Sequence, residues 1–329
     1  MKQSVKLDNV YVLDKATAVG PLEKNGPLGK YFDICYQDQH MGQKNYEDGE
    51  KRMILDSLNY LIEKTHLENK IDLMCGGDLS NQIACSNYAS SNFPYPFIGV
   101  YGACSTSVLS MILASTYIDT KIYKNILCFV SSHNCTAERQ FRYPTEYGIQ
   151  KKNTSTWTAT GCGAVILTDR KKRIKVTSFT IGKTIDWGYT NVNDTGGIMA
   201  PAALDTLKAH LSDLKRDVSY YDLILTGDLS SFGKQVMIEL AKKENIDLTK
   251  NYDDCGTLLY DLENQKVDLG GSGCACSALV TYGYIFELLE KKKLNKVLLI
   301  ATGSLHSPVY VQQKKSIPCI AHAISFEVE

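Results

Sequence analysis

The chain has 329 residues, 44% of them hydrophobic, which is enough for two hydrophobic core units. Its 36 Lys and Arg residues balance 36 Asp and Glu residues, so no overall field favours nucleic acid or an anionic membrane surface. No run approaches ~18 apolar residues and no apolar segment follows the first residues, so neither a spanning helix nor a secretory signal is predicted.

The eleven cysteines come without paired C-x-x-C motifs. This pattern indicates reduced and mostly buried thiols and argues against a zinc site, and we predict no metal centre and no cofactor.

The first long amphipathic segment covers residues 50–64. Its apolar positions Ile54, Leu58, Leu61 and Ile62 form one stripe, which predicts a helix. Residues 71–80 follow as a buried strand that ends in a Gly-Asp turn, and the same pattern returns at residues 221–230, with six of ten positions identical.

A second repeat accompanies the first. Ala103-Cys104-Ser105 and Ala275-Cys276-Ser277 each open an apolar stretch of helical length, and the apolar strands 126–130 and 297–301 follow. Each strand leads into a polar loop with a histidine, His133 or His306. The sequence therefore predicts a duplicated α/β protein with a mostly parallel sheet and one shared cleft, divided into residues 1–186 and 187–329.

Two further helices are predicted in the second half. Pro201 suits the first position of one, because proline fits the start of a helix. The stretch 278–290 places Tyr282, Ile285, Phe286 and Leu289 on one face, and three lysines at its end complement the helix dipole.

The segment 101–107 places Cys104 at a turn before an apolar helix. Free N–H groups at a helix start lower a thiol pKa, and they also bind anions directly. Cys104, Ser105 and Thr106 are therefore candidates for the floor of an anion site or for nucleophilic chemistry. The alternative is a cysteine that simply packs where a small residue fits.

The loop at 132–148 follows a predicted central strand, where ligands of α/β sheets bind. Arg139, Gln140 and Arg142 are candidates for carboxylate contacts, while His133 and Tyr143 could orient or stack on a flat ring. The alternative is a solvated loop with an internal ion pair between Glu138 and Arg142.

The second half adds a stretch of small residues at 270–277 that permits close backbone approach and contains Cys274. The turn residues Asp78 and Asp228 are candidates for calcium ligands or for plain structural caps, and caps are the favoured interpretation.

These motifs resemble the thiolase superfamily, in particular its ketoacyl synthase III branch. Over nearly the whole chain they resemble the stage V sporulation protein AD family. That resemblance rests on Gly26-Pro27-Leu28-Gly29, residues 101–107, 131–148, 225–230, 270–277 and 316–322. It implies two α/β halves stacked in five layers, and binding of dipicolinic acid, with calcium, as part of the SpoVA system. It also implies peripheral attachment to the spore inner membrane through membrane-embedded SpoVA partners. Many members of the thiolase superfamily are dimers, so a homodimer is compatible with the resemblance.

The resemblance also implies lost catalysis. Cys104 stands where the synthases carry their nucleophile, but Asp228 replaces their histidine and Cys274 or its neighbour replaces their asparagine. Losing one donor to a developing oxyanion costs ~10²–10³ in rate. We therefore expect a non-catalytic binding protein with a ligand site at Cys104, Ser105, Thr106, His133, Arg139, Gln140, Arg142, Tyr143, Asp228 and Cys274. The alternative is an acyl-transferring enzyme with Cys104 as nucleophile.

Overall fold

The computed structural model describes residues 2–141, 154–191 and 193–329. Its helices are α1 (Pro21–Lys24), α2 (Tyr46–Thr65), α3 (Ala84–Ser90), α4 (Thr106–Asp119), α5 (Asn134–Phe141), α6 (Thr195–Leu214), α7 (Ser230–Lys243), α8 (Cys255–Leu258), α9 (Cys274–Leu279), α10 (Phe286–Glu290) and α11 (Pro308–Gln312). A π-helical segment, Val280–Ile285, joins α9 to α10. Among these described helices, none has the length and apolarity needed to cross a bilayer.

The strands are β1 (Ser4–Lys6), β2 (Tyr11–Val19), β3 (Ile34–Cys35), β4 (Leu73–Gly77), β5 (Phe97–Gly99), β6 (Asn125–Ser132), β7 (Trp157–Thr158), β8 (Gly161–Thr168), β9 (Ile174–Thr180), β10 (Leu223–Thr226), β11 (Tyr252–Asp254), β12 (Gly271–Ser272), β13 (Lys296–Ser304) and β14 (Cys319–Val328). The main path of hydrogen-bonded neighbours runs β11-β10-β13-β14-β9-β2-β8-β6-β4-β5. β2 and β9 share a single paired position, Tyr11 with Lys175, so this path consists of two sheets that meet at an edge.

The two sheets and their helices form five layers. α2 and α3 cover the outer face of the β2-β8-β6-β4 sheet, and α6 and α7 cover the outer face of the β10-β13-β14 sheet. Between the sheets lie α4, α9 and α10, in the largest apolar cluster. The starts of α4 and α9 meet directly, with Ser107 Oγ and Ser277 Oγ 2.7 Å apart. The predicted duplicated five-layer architecture is confirmed.

The prediction of a mostly parallel sheet is wrong. β4 pairs in parallel with β5 and β6, and β10 with β11 and β13, but β2, β8, β9 and β14 pair antiparallel with their neighbours along the path. A parallel connection needs a long crossover, whereas an antiparallel one does not. The connection from β13 to β14 contains only the short helix α11, and these strands are accordingly antiparallel.

The predicted start of α6 at Pro201 is also wrong. The helix begins earlier, at Thr195, because the Asp194 side chain accepts a 3.0 Å hydrogen bond from the Gly197 N–H and caps the first turn. Pro201 therefore lies inside the helix. The other two predicted helices are present, as α2 and as the continuous run from α9 to α10.

The division at residue 186 assigns β9 to the first half, yet β9 pairs with β14 along most of its length. The domain boundary itself stays a prediction.

The stripe on α2 supplies a stability test. Leu58 is fully buried against the sheet, whereas Leu55 on the same helix is only half-buried. We expect Leu58→Ala to lower the free energy of unfolding by about 2–5 kcal/mol, through lost burial and a cavity, and Leu55→Ala to cost clearly less. Denaturant unfolding of the two variants measures this difference, and equal losses would contradict the predicted helix face.

Candidate functional site

Cys104 lies in a strained turn directly before α4. Ala103 has a φ of 50°, unusual for a residue with a Cβ. Ser105 Oγ donates to the Gly102 carbonyl at 2.6 Å, and Thr106 Oγ1 donates to the Ala103 carbonyl at 2.6 Å. These two hydroxyls therefore hold the turn that presents Cys104, and neither belongs to the described lining of the adjacent cavity.

The backbone of this turn is also engaged. The N–H groups of Ser105 and Thr106 donate to the carbonyls of Gly102 and Ala103. A Cβ on Gly303, in β13, would collide with the Gly102 carbonyl, so the second half of the chain presses directly against the turn. The expected anion cradle is therefore not formed by these two N–H groups.

Asp228 lies opposite Cys104, on the turn that follows β10. Its carboxylate is buried and accepts hydrogen bonds from Thr302 Oγ1 at 2.6 Å, Ser272 Oγ at 2.9 Å and the Gly273 N–H at 3.0 Å. The charge of this carboxylate acts on the neighbouring Cys104 thiol and raises its pKa. The hydrogen bonds of Asp228 connect β13 to the turn before α9.

The electrostatics of the pair oppose a thiolate. Burial raises the pKa of Cys104 well above its usual value, and the neighbouring Asp228 carboxylate raises it further. Burial also raises the pKa of Asp228, while its hydrogen bond from Thr302 works in the opposite direction. The sequence-based expectation of a thiol activated by a helix start is therefore wrong, because burial and a facing carboxylate outweigh the helix dipole.

A second buried carboxylate, Asp254, lies behind Asp228. It accepts hydrogen bonds from Thr226 Oγ1 at 2.7 Å and from the N–H groups of Leu229, Ser230 and Gly256 at 2.8–2.9 Å. Burial raises its pKa to about 7, opposed by the bond from Thr226, and the charge of Asp228 contributes to the rise. No motif or repeat in the sequence indicates that Asp254 braces the Asp228 turn.

Cys274 begins α9 and is fully buried. Its thiol donates to the Ser131 carbonyl at 2.9 Å, and burial holds its pKa well above the usual range. The Cys274 charge also acts on Cys104 and raises the Cys104 pKa, so the two thiols are near neighbours. Cys274 supports the site from behind and does not line the cavity.

Cys104 opens into a cavity beside the start of α4. The described lining is mainly apolar side chains and hydroxyls, and it contains no Arg or Lys: Leu79, Tyr101, Ala103, Cys104, Ala137, Glu138, Phe141, Thr156, Thr158, Met199, Ser272, Ser304 and His306. Tyr101, Phe141 and His306 also line a neighbouring surface groove. Phe141 and His306 pack ring to ring, with their centroids 5.4 Å apart.

Two of the predicted carboxylate-binding side chains, Arg139 and Gln140, lie outside the described cavity lining. Arg139 Nη1 donates to Glu47 Oε1 at 2.8 Å and is partly exposed, outside the described cavity lining. Gln140 donates to the Leu79 carbonyl at 3.1 Å and accepts from the Asn81 N–H at 2.7 Å. Gln140 thus ties α5 to the segment after β4 and borders the surface groove. Arg142 and Tyr143 lie outside the described residues.

His133 is a structural residue instead of a ligand contact. Its Nε2 donates to the Gln39 carbonyl at 2.7 Å, and its Nδ1 accepts from the Cys135 N–H at 3.1 Å. The ring is fully buried, and burial lowers its pKa to about 4, so it is neutral near pH 7. Both ring nitrogens are engaged, which leaves none for a ligand.

Asp78, the counterpart of Asp228 in the first half, acts as a cap. Its carboxylate accepts from the N–H groups of Ser80 and Ser86, both at 2.7 Å. Ligand atoms of Glu50, Asp78 and Cys85 lie within 4.8 Å of one another, in a buried group. Ser131 and Thr136 each donate to Glu50 at 2.8 Å. Because protein donors already engage these carboxylates, the group carries no metal assignment.

Several residues that line the cavity were not predicted as site residues from the sequence. Thr156, Thr158 and Met199 belong to no repeat and to no recognisable motif, so only the fold brings them to the cavity. Ser304 and His306 could have been found, since they occupy the polar loop after the repeated strand.

Comparison with known proteins gives this geometry a family. The family model of stage V sporulation protein AD matches residues 1–327. The chain belongs to the stage V sporulation protein AD family. It is 47% identical to stage V sporulation protein AD of Bacillus subtilis (strain 168) over 319 residues, covering 97% of this chain and 94% of that protein.

Solved structures show the wider fold relationship. The chain superposes on 3-oxoacyl-[acyl-carrier-protein] synthase III from Aquifex aeolicus with a TM-score of 0.58 and 10% identity, covering 97% of this chain and 99% of that one. An OleA variant of Xanthomonas campestris gives a TM-score of 0.60 at 15% identity, with the same coverage. The fold of this sporulation family is thus thiolase-like.

Cys104 provides a direct test of the site's electrostatics. We expect Asp228→Asn to lower the pKa of Cys104, because the facing carboxylate is removed, and to speed its alkylation by iodoacetamide near neutral pH on the order of tenfold. Site-resolved mass spectrometry measures the rate. The half-buried Cys35 serves as the internal reference. An unchanged Cys104 rate would contradict the proposed coupling.

Proposed function

We propose that this member of the family is a non-catalytic binding protein for dipicolinic acid, pyridine-2,6-dicarboxylate, or for its calcium chelate. The site is the cavity above Cys104. In this proposal the protein works within the SpoVA system, which moves the ligand into the developing spore and releases it in germination. It attaches peripherally to the spore inner membrane through SpoVA membrane proteins and could form a homodimer.

One observation carries the non-catalytic part of the proposal, namely the buried Asp228 carboxylate that faces Cys104 and raises the pKa of its thiol. Condensing chemistry at a cysteine requires a thiolate and then donors for the negative oxygen of the intermediate. Asp228 keeps the thiol protonated and places an acceptor where a donor is required. The same pair leaves a pocket that can hold a ligand without reacting with it.

The cavity chemistry supports a small, flat and polar ligand. Thr158 and Ser304 carry hydroxyls and line the described walls. Hydroxyls donate to carboxylates, and the ring pair of Phe141 and His306 offers flat faces beside the same space. Glu138 and the neighbouring Asp228 favour either a protonated acid or a chelate in which calcium offsets the ligand charge.

Calorimetry with dipicolinate, with and without calcium, tests the ligand assignment. We expect saturable binding that the isomer pyridine-3,5-dicarboxylate does not reproduce. Asp228→Asn should strengthen binding of free dipicolinate on the order of tenfold, because a like charge is removed. The matched control is Asp14→Asn, which removes a carboxylate of β2 that pairs with Lys64 of α2. This variant should leave binding unchanged. Absence of binding at millimolar ligand under both conditions would count against the proposal.

The rival function is acyl transfer with Cys104 as nucleophile, and the exposure of this cysteine to the cavity favours it. Incubation with acyl-CoA followed by intact-mass measurement separates the two functions. We expect no adduct, because the thiol stays protonated beside Asp228. An added acyl mass that disappears in Cys104→Ala would establish the enzyme instead.

A further inference from the structure

A cluster of exposed apolar and aromatic side chains lies on two neighbouring segments of the second half. We name it the aromatic surface and define it as Trp187, Tyr189, Val309, Tyr310, Lys314 and Lys315. Trp187 is 59% exposed, and Val309 and Tyr310 are each 60% exposed. Side chains of this size rarely lie so open unless they contact something, particularly when several occur together.

The fold holds the two segments side by side. The N–H of Ile317 donates to the Tyr189 carbonyl at 2.9 Å, and Ile185 and Cys319 exchange backbone hydrogen bonds of 2.7 and 2.8 Å. Ser316 Oγ also donates to Asp186 Oδ2 at 2.7 Å. A groove between the segments is lined by Asp186 and by residues of the second segment, including Tyr310. The two segments that carry the aromatic surface are therefore held side by side by hydrogen bonds.

The surface carries two lysines, Lys314 and Lys315. Lys314 and Lys315 are exposed, and within the residues that the structure describes neither ammonium group forms an ion pair. Of the acidic residues on the neighbouring segment, Asp186 accepts hydrogen bonds from Gly188 and Ser316, and Asp194 accepts one from the Tyr189 hydroxyl at 3.1 Å. The two lysine charges thus remain available to an external anionic surface.

We propose that the aromatic surface docks on the face of a bilayer that contains anionic lipid. Trp and Tyr prefer the boundary between headgroups and acyl chains, because one end of each ring system is apolar and the other is polar. Lysines beside them gain from anionic headgroups. Direct lipid contact goes beyond attachment through partner proteins, and it does not depend on the identity of the cavity ligand.

This docking would orient the cavity. Ser304 and His306 line the cavity, and the connection that begins at His306 carries Val309 and Tyr310 to the aromatic surface. The surface groove that adjoins the cavity reaches Pro308. A chain held by this surface therefore keeps its cavity entrance close to the membrane plane.

The two tryptophans of the chain permit a direct test. In a Trp157→Phe background, Trp187 is the only tryptophan, and its emission reports on the aromatic surface. We expect the emission to shift to shorter wavelength with vesicles of phosphatidylcholine plus phosphatidylglycerol, and brominated acyl chains to quench it. Phosphatidylcholine alone should give a much weaker response, because the lysines then lack a partner.

Vesicle co-sedimentation of the full chain extends the test to variants. We expect Val309→Ser/Tyr310→Ser and Lys314→Gln/Lys315→Gln each to weaken binding on the order of tenfold. The matched control is Tyr88→Ser/Ile122→Ser, which removes two comparably exposed residues of the first half and should bind normally. Equal loss in the control, or no Trp187 response to anionic vesicles, would overturn the proposal. Binding confined to membranes that contain protein, and lost in the same variants, would identify a protein partner and also overturn it.

The assignment of the cavity ligand is tested independently of membrane docking. Calorimetric binding of dipicolinate should be unchanged in the Lys314→Gln/Lys315→Gln variant, because neither lysine lines the described cavity. Loss of vesicle binding with intact ligand binding supports docking alone.

Discussion

The hydrogen-bonded carboxylate of Asp228 organises the candidate site. It accepts hydrogen bonds from Thr302 on β13 and from Ser272 and Gly273 at the turn before α9, and it faces the thiol of Cys104 at the turn before α4. These segments come from both parts of the duplicated chain. A buried carboxylate with several donors is costly to leave unpaired, so removing any one partner affects the others. The buried Asp228 carboxylate therefore holds together the segments that border the cavity, through its hydrogen bonds.

The same carboxylate decides the chemistry. Helix starts usually favour a thiolate, and the segment around Cys104 has the sequence of such a start. Burial and a facing acid reverse that preference. Asp254 stands behind Asp228 with a pKa of about 7, so the region contains two acids whose charged forms are disfavoured. Such a pair of acids is poorly suited to stabilising developing negative charge. It is better suited to binding a neutral ligand, or a ligand whose negative charge is offset by a bound cation.

The sequence predicted local and repeated features well. The stripe on α2 follows from periodicity, and the matching strand and helix order of the two halves follows from internal repetition. The site was predicted less completely. The loop after β6 indicated that Arg139 would face the ligand, but Arg139 pairs with Glu47 on α2. Side-chain direction depends on such tertiary partners, and Thr156 or Met199 reaches the cavity through folding alone.

The two repeated Cys-Ser turns differ in the exposure of their cysteines. Cys104 lines the cavity, whereas its counterpart Cys276 has no solvent exposure at all. An ancestor with two equivalent halves would have offered two equivalent positions, one at each turn. Burial of Cys276 removes the second, so in the described part of the chain the pseudo-symmetry of the backbone does not extend to the binding surface. The second half of the duplicated chain therefore contributes residues to one binding site instead of forming a second site. We expect each polypeptide to bind one ligand molecule.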